Sequence, residues 1–412
     1  MSMPALPSIR PVTEDQHHAF VRTVERAFGS SLDAAEIDEL VAVELADRSS
    51  PIACHDGGQM IGTAVVLPWT LALPYAPPAP CAAVTSVTVA PTHRRRGVLR
   101  SLMRHQLDEL HATDDDGAAW AALYSSESVI YGRFGYGVAT RSLTGRIDRP
   151  WTGFMQPVPP AAVELLGVDD ALGRVPAIYA SVQARTPGML DVPARYWRHR
   201  IAWDPPGDRG GASERTVAVI DDRAYAMYRL ANDWDETGSK SRLTIEECHA
   251  TDVEAQRQMW TYLFAIDLAQ HVTINRLSVD HPLPWWLTER QRLRMTASMP
   301  LYIRLVDVGV ALSQRGTRGD GEVVLDAIDG FCPWNQRRWR VAADGDLLHC
   351  EPTGAAADMT LDVRELASLS LGGVTPTELA RAGLLNEHTP GALSRLEALL
   401  ASERAPYNAF TF

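Results

Sequence analysis

The hydrophobic pattern changes from strand-like to helix-like on either side of Pro91. Upstream, Val87 and Val89 alternate with Ser86 and Thr88, which is the two-residue period of a half-buried strand. Pro91 ends the strand ladder because it has no N–H. Downstream, apolar residues recur at spacings of three and four, at Leu99, Leu102, Met103, Leu107 and Leu110. The pattern therefore predicts a strand, a tight turn and a helix that packs on the sheet.

The residues around this strand, turn and helix also carry patterns that predict secondary structure. Helical periodicity within residues 9–46 predicts two helices, and residues 52–67 predict a hairpin whose turn contains Asp and Gly. A proline-rich loop at residues 74–80 is expected to lead into the strand. After the helix, a solvated turn is predicted at residues 114–117 and a buried strand at residues 120–123. Strands and helices are thus mixed along the first part of the chain.

Two further regions follow. Residues 216–230 predict a second hairpin, residues 241–248 a strand and residues 252–268 a helix, an order that repeats that of the first region. From Pro300 onward four strands are predicted, followed by three helices that close the chain. No Arg-x-x-Gly run accompanies the second hairpin, whereas the first region has one from Arg94 to Gly97.

Length and composition indicate a multidomain globular protein. A chain of 412 residues suggests two or three domains, and 46% hydrophobic with 22% charged residues is typical of soluble proteins. The formal net charge of −12 argues against a nucleic-acid partner and favours a cationic substrate. No apolar stretch is long enough to span a bilayer, and a secretory signal is not expected.

The cysteines and histidines indicate neither disulfides nor a metal site. The five cysteines are scattered and none forms a Cys-x-x-Cys pair, so we expect reduced thiols and a cytoplasmic location. Histidines such as His93, His105 and His111 lack the spacing of metal ligands, and no metal is expected.

The turn after the strand carries the first candidate chemistry. Gly97 lies where a helix begins, so the first backbone N–H groups lack intrahelical partners and the positive end of the helix dipole faces outward. Arg94, Arg95, Arg96 and Arg100 surround this turn. The arrangement fits a pyrophosphate; the alternative is a basic helix start on a solvated face or on nucleic acid.

Two motifs carry a resemblance to a known family. The turn resembles the Arg-x-x-Gly-x-Gly/Ala signature by which the GNAT superfamily of acetyltransferases holds coenzyme A, although Leu99 stands where Gly or Ala is usual. The run from Ile130 through Tyr131 and Phe134 to Gly137, together with this turn, resembles the Eis (enhanced intracellular survival) family of N-acetyltransferases within that superfamily.

The resemblance implies a fold class and a domain organisation. The class is α+β (mixed α/β), with two GNAT-like domains followed by a sterol-carrier-protein-like domain. Residues 1–148 would hold acetyl-CoA, residues 149–298 would lack a cofactor site, and residues 299–412 would deliver the C-terminus to the N-terminal active site. It also implies a homohexamer.

The cofactor residues are carried over from the same resemblance. The strand would offer its backbone to the pantetheine arm, the turn would hold the phosphates, and the next loop would border the arm. These positions are Val87, Thr88 and Val89, then Arg95, Arg96, Gly97, Val98, Leu99 and Arg100, and finally Ser126 and Glu127.

Amine acetylation needs an acid for the departing thiolate and a base for the amine. Tyr131 matches the family's acid; it could instead be a core aromatic, with Tyr124 or Tyr136 as the donor. The family's base is the terminal carboxylate, here that of Phe412. Transfer from an ammonium of pKa about 10 to an ordinary α-carboxyl is roughly 8 kcal/mol uphill, which burial of the carboxylate would reduce. The alternative is a tail merely packed on the surface.

The resulting hypothesis is an acetyl-CoA-dependent N-acetyltransferase. Its acceptors would be primary amines of a polycationic small molecule such as an aminoglycoside, or lysine side chains of peptides. The aligned pocket positions Ser30, Ser86 and Thr411 are less acidic than in relatives that acetylate aminoglycosides. The alternative function is a catalytically idle oligomeric protein that binds a hydrophobic ligand in its C-terminal domain.

Overall fold

The computed structural model describes residues 8–45, 49–113 and 117–412. The chain divides into two compact units. Unit 1 comprises Met1–Ala139, Leu301–Ser402 and Phe410–Phe412, and unit 2 comprises Thr140–Pro300 and Glu403–Ala409. The turn predicted at residues 114–117 lies outside the described residues, apart from Gly117.

The first part of unit 1 mixes strands and helices along the chain, as predicted. Its strands are β1 Ser8–Pro11, β2 Ser50–Asp56, β3 Gln59–Leu73, β4 Ala76–Val89, β5 Trp120–Tyr124 and β6 Gly137–Val138. Its helices are α1 His17–Phe28, α2 Ala34–Glu44, α3 Val98–Ala112 and α4 Ser128–Tyr131. Leu102, Met103 and Leu107 of α3 are buried, so the apolar face predicted for this helix packs in the core.

The predicted proline-rich loop is wrong. β4 already begins at Ala76 and pairs with β3 through this stretch, with Pro80 opposite Thr70. The turn between β3 and β4 lies before Ala76 and contains Tyr75, which has a left-handed φ of 55°. Pairing of β4 with β5 begins only at Cys81, and prolines are tolerated on a strand stretch that has one neighbour because no second ladder needs their N–H.

Unit 2 has its own sheet. The strands of the unit are β7 Ser142–Asp148, β8 Glu164–Leu166, β9 Thr216–Ile220, β10 Ala224–Ala231, β11 Trp234–Asp235, β12 Gly238–Ser239, β13 Arg242–Ala250, β14 His271–Ser278 and β15 Arg294–Ser298. Seven of them form the sheet, in the order β15-β7-β14-β13-β10-β9-β8, and β11 and β12 form a separate pair. The helices of the unit are α5 Val168–Gln183, α6 Ala194–Ala202, α7 Val253–Ala265 and α8 Leu283–Trp286. The predicted order of hairpin, strand and helix is therefore present in β9, β10, β13 and α7.

The last part of the chain returns to unit 1. Its strands are β16 Leu301–Leu305, β17 Glu322–Ile328, β18 Arg338–Asp344, β19 Leu347–Pro352, β20 Met359–Asp362 and β21 Leu385–Glu387. Its helices are α9 Val308–Ser313, α10 Val363–Leu369, α11 Pro376–Arg381 and α12 Ala392–Leu400. β16 enters the first sheet, in the order β1-β2-β3-β4-β5-β16-β6, while β17–β21 form a separate five-stranded sheet.

Candidate active site

The site begins where two parallel strands of unit 1 diverge. β4 and β5 pair from Cys81 opposite Trp120 to Val84 opposite Leu123. β4 then continues to Val89, whereas β5 ends one residue later, at Tyr124. No described strand pairs with residues 87–89 on the β5 side. Their outward N–H and C=O groups can therefore bond an extended ligand in the manner of an added strand.

A β-bulge produces this divergence. Thr85 faces Val65 but Thr88 faces Thr63, so β4 carries one extra residue at this point. Ser86 takes a left-handed φ of 52° at the bulge, and its carbonyl accepts a hydrogen bond of 2.8 Å from Thr63 Oγ1. Bulges bend a strand and increase its twist. Ser86 and Thr88 are buried here, and Val87 and Val89 are half-buried.

The turn between β4 and α3 has the backbone of an anion site. Arg95 has a φ of 61°, and Gly97, the N-cap of α3, has a φ of 86°. A Cβ on Gly97 would meet no described atom within 4 Å, so the backbone conformation, and not space, favours glycine there. Left-handed residues next to a helix start turn successive N–H groups towards one point, which suits an anion.

A cavity of about 760 Å³, called here the β4–β5 cavity, joins the strand edge to this turn. Every cofactor residue expected from the resemblance lines it except Arg96, which is not among the described lining residues. These lining residues are Val87, Thr88, Val89, Arg95, Gly97, Val98, Leu99, Arg100, Ser126 and Glu127. Tyr131 also lines the cavity.

Sequence reasoning missed several residues of this site. Phe28 is 58% exposed at the end of α1 and lines the cavity. The available signal in the sequence was a Phe directly before Gly29, the residue that ends the helix. Phe331 was also missed: its ring lies 5.0 Å from the Arg100 guanidinium carbon and 4.0 Å from that of Arg104. Arg104 also donates to the Phe331 carbonyl. The Phe331 ring thus packs against Arg100, which lines the cavity.

Tyr131 is the best-placed phenol in the cavity. Its side chain is buried, and this burial raises its pKa to about 12. It is therefore a weaker acid than an ordinary tyrosine and stays protonated at neutral pH. Tyr136 is fully buried, does not line the cavity, and its hydroxyl has no hydrogen-bond partner among the described residues. Tyr124 ends β5 and lies outside the described lining as well.

The C-terminal ring of Phe412 is seated between two aromatic residues of unit 1. Ring centroids lie 5.0 Å from Trp69 and 5.4 Å from Tyr124, and both pairs are edge-on. Phe410 is also near Trp69, at 5.8 Å. Phe412 is not among the described residues that line the cavity, but Tyr124 lies two residues before Ser126, which does. The chain end therefore lies near the opening between β4 and β5.

Of the other aligned pocket positions, Ser86 is buried in the bulge, whereas Ser30 and Thr411 are exposed. Within the described residues, no group of three His, Cys, Asp or Glu side chains could hold a metal ion. None of the described helices is long and apolar enough to cross a membrane.

Comparison with known families agrees with this architecture. Residues 8–139 and 188–305 each match a family model described as an acetyltransferase (GNAT) domain, and residues 308–409 match a sterol carrier protein domain. Fold and site thus define an N-acetyltransferase of the GNAT type. The predicted mixed α/β class, with two GNAT domains and a sterol-carrier-like domain, is confirmed.

Relatives over nearly the whole chain define the family. N-acetyltransferase Eis of Mycobacterium bovis is 33% identical over 384 residues, covering 90% of this chain and 89% of the relative. An uncharacterized N-acetyltransferase of Streptomyces avermitilis is 35% identical, covering 97% and 98%. The crystal structure of Eis1 from Mycobacterium abscessus superposes with a TM-score of 0.86 at 30% identity, covering 98% of this chain and 100% of the other. The chain belongs to the Eis family of N-acetyltransferases.

Proposed function

We propose that this enzyme transfers the acetyl group of acetyl-CoA to primary amines of a cationic small molecule, such as an aminoglycoside, or of a lysine side chain. The observation that carries the proposal is the edge of β4 at Val87, Thr88 and Val89, which has no partner among the described strands on the β5 side. This edge leads directly into an arginine-rich turn at a helix N-terminus. That order matches the order of groups in the co-substrate, because its pantetheine arm is joined to a pyrophosphate.

The chemistry of the lining residues supports acetyl-CoA as the donor. Val87, Thr88 and Val89 would hold the amide groups of the arm through their backbone, as a neighbouring strand does. The N–H groups of the turn and the Arg95 and Arg100 guanidiniums would hold the phosphates. The arm would then run along the strand towards Tyr131, which lines the same cavity.

In the proposed reaction the amine nitrogen bonds to the thioester carbonyl carbon, and the carbon–sulfur bond breaks. The Phe412 carboxylate takes the proton that the amine must lose, directly or through a water. Tyr131 gives its hydroxyl proton to the departing sulfur and regains a proton from solvent. An acceptor with several amines suits a chain whose formal net charge is −12.

A thiol-release assay tests this proposal. We would supply acetyl-CoA with an aminoglycoside, a polyamine, a lysine peptide or a neutral alcohol as acceptor. We expect thiol release with at least one amine and none with the alcohol, together with saturable acetyl-CoA binding by calorimetry. Absence of both would overturn the proposal and favour a binding protein that uses the C-terminal domain.

The phosphate turn gives a direct prediction. Gly97→Glu is expected to weaken acetyl-CoA binding at least about 100-fold, because a carboxylate at the helix start repels the pyrophosphate and replaces a favourable dipole interaction. Gly97→Gln is the matched control, with the same shape and backbone strain but no charge. Calorimetry should show binding at least about tenfold weaker for Glu than for Gln. Equal affinities would place the phosphates elsewhere.

Two expectations rest on the family resemblance and the cysteines. We propose a homohexamer, which light scattering would show as six times the chain mass of 45.2 kDa. We also propose a cytoplasmic location, which the five buried free thiols support.

A further inference from the structure

The segment before the chain end is fixed within unit 2. Residues 403–409 belong to that unit, whereas Phe410–Phe412 belong to unit 1. The Ala405 N–H donates to Asp280 Oδ2 at 2.8 Å, and the Tyr407 N–H donates to the Pro187 carbonyl at 2.9 Å. Two backbone donors of the tail are thus held by unit 2.

The side chains of the tail add to this attachment. Asn408 Oδ1 accepts from the Leu190 N–H at 3.3 Å, and Asn408 is only 1% exposed. Tyr407 is 6% exposed, and its ring lies 6.2 Å from that of His249. A chain end held only by loose surface packing would not bury polar groups and satisfy them in this way.

A glycine allows the tail to approach closely. Gly188 has a φ of 88°, and a Cβ there would lie 3.1 Å from the Tyr407 carbonyl oxygen and 3.2 Å from its nitrogen. The same Cβ would lie 3.1 Å from Thr140 Cγ2. The loop before Met189 and the tail therefore pack backbone against backbone, which only glycine permits without a shift.

The tail is attached where the parallel strands β13 and β14 of unit 2 separate. This position corresponds to the one at which β4 and β5 separate in unit 1. β13 and β14 are parallel and pair only as far as Ile245 opposite Ile274, although the strands continue to Ala250 and Ser278. A cavity of about 250 Å³ lies at their ends, and Arg404, Ala405 and Tyr407 line part of it. We call it the unit 2 notch.

The helix start beside this notch is unsuited to phosphate. Asp252 caps α7 by accepting from the Ala255 N–H at 2.9 Å, and Arg223 binds the same carboxylate at 2.7 and 2.9 Å. A carboxylate thus lies at the helix N-terminus, where unit 1 has Gly97. Asp252 thus already occupies the Ala255 N–H and the Arg223 guanidinium, which a pyrophosphate would need. This agrees with the absence of an Arg-x-x-Gly turn in the second domain.

We infer that the unit 2 notch has become the docking site of the chain's own C-terminal tail, and that Asp280 and Gly188 are positioning residues for the Phe412 carboxylate. This inference rests on the proposed function. Only four residues follow Asn408, so a tail anchored there can reach at most about 14 Å. A tail free from Ser402 onward could reach about 35 Å. The anchor therefore restricts where the carboxylate can lie, and a small misplacement of a catalytic group costs rate.

Four variants of the full-length enzyme test the inference. Gly188→Ala should displace Tyr407, and Asp280→Ala should free the Ala405 N–H. Gly211→Ala is the matched control, because Gly211 has a similar φ of 81° but a Cβ there would meet no described atom within 4 Å. Asp280→Asn keeps an acceptor oxygen and should restore the wild-type behaviour.

Two measurements decide the outcome. Hydrogen exchange of a peptide covering residues 403–409 should speed up in Gly188→Ala and Asp280→Ala but not in Gly211→Ala. Turnover should fall about tenfold or more in the same two variants, with the KM for acetyl-CoA within about twofold of wild type. This split separates positioning from a general loss of stability, since unfolding would also be seen in the melting temperature.

Unchanged exchange in both variants would overturn the docking site, and faster exchange with turnover within about threefold of wild type would overturn the positioning role. A wild-type enzyme that releases no thiol with any amine would overturn the proposed function, and the positioning role with it. Exchange would still report on the docking site in that case, so the two failures can be told apart.

Discussion

Adding one glycine after Phe412 is expected to lower kcat at least about 100-fold, the typical contribution of a general base. The extension moves the terminal carboxylate by about 3.5 Å, which exceeds hydrogen-bond tolerance. It leaves the Phe412 ring free to stay between Trp69 and Tyr124. Steady-state kinetics should therefore show lost turnover with a nearly normal KM for acetyl-CoA and a nearly normal melting temperature.

Two controls separate the charge from the ring. A semisynthetic enzyme that ends in a Phe412 amide has the native length without the negative charge and should lose as much turnover as the extended chain. Phe412→Tyr keeps the carboxylate and an aromatic ring and should stay within about tenfold of wild type. Full activity of the glycine-extended enzyme would rule out the carboxylate as the base and direct attention to Glu127, which lines the cavity, or to an ordered water.

The local parts of the site were predictable from sequence because they depend on neighbours along the chain. Gly97 was placed at a helix start from the apolar spacing downstream and from the proline upstream, and it is the N-cap of α3. The hairpins were found for the same reason, since Asp and Gly mark turns with positive φ.

The prolines before β4 misled the prediction because their meaning depends on the number of neighbouring strands. A proline excludes a strand only where the ladder on that side needs its N–H, and residues 76–80 have a partner in β3 alone among the described strands. The bulge at Ser86 was not predicted either, because its left-handed residue is a serine and not the glycine that marks one common bulge type.

Long-range partners could not be found from one sequence. The family resemblance placed the Phe412 carboxylate at the active site, but nothing local in the sequence indicated Trp69 as the neighbour of the Phe412 ring. Phe331 lies more than two hundred residues from Arg104, yet its carbonyl accepts that guanidinium's hydrogen bond. Docking of the tail in unit 2 is of the same kind, because Asp280 and Ala405 are distant in sequence.

Tyr131→Phe is expected to lower kcat about 100-fold at neutral pH, because the departing sulfur then lacks a proton donor. Burial raises the pKa of Tyr131 to about 12, so about 99% of the phenol is still protonated at pH 10. The donor should therefore not limit the rate on the alkaline side below about pH 11. The KM for acetyl-CoA should change little, since proton donation acts in the transition state.

The matched control for this substitution is Tyr136→Phe. The Tyr136 hydroxyl is buried without a partner among the described residues and does not line the cavity, while its ring contacts that of Tyr131 edge-on at 6.1 Å. Removing that hydroxyl tests the packing of the aromatic pair without touching the donor, so turnover should stay within about threefold of wild type. If the two variants lose equal activity, Tyr131 supports the site only by packing. If neither variant loses activity, the proton reaches the sulfur from Tyr124 or from water.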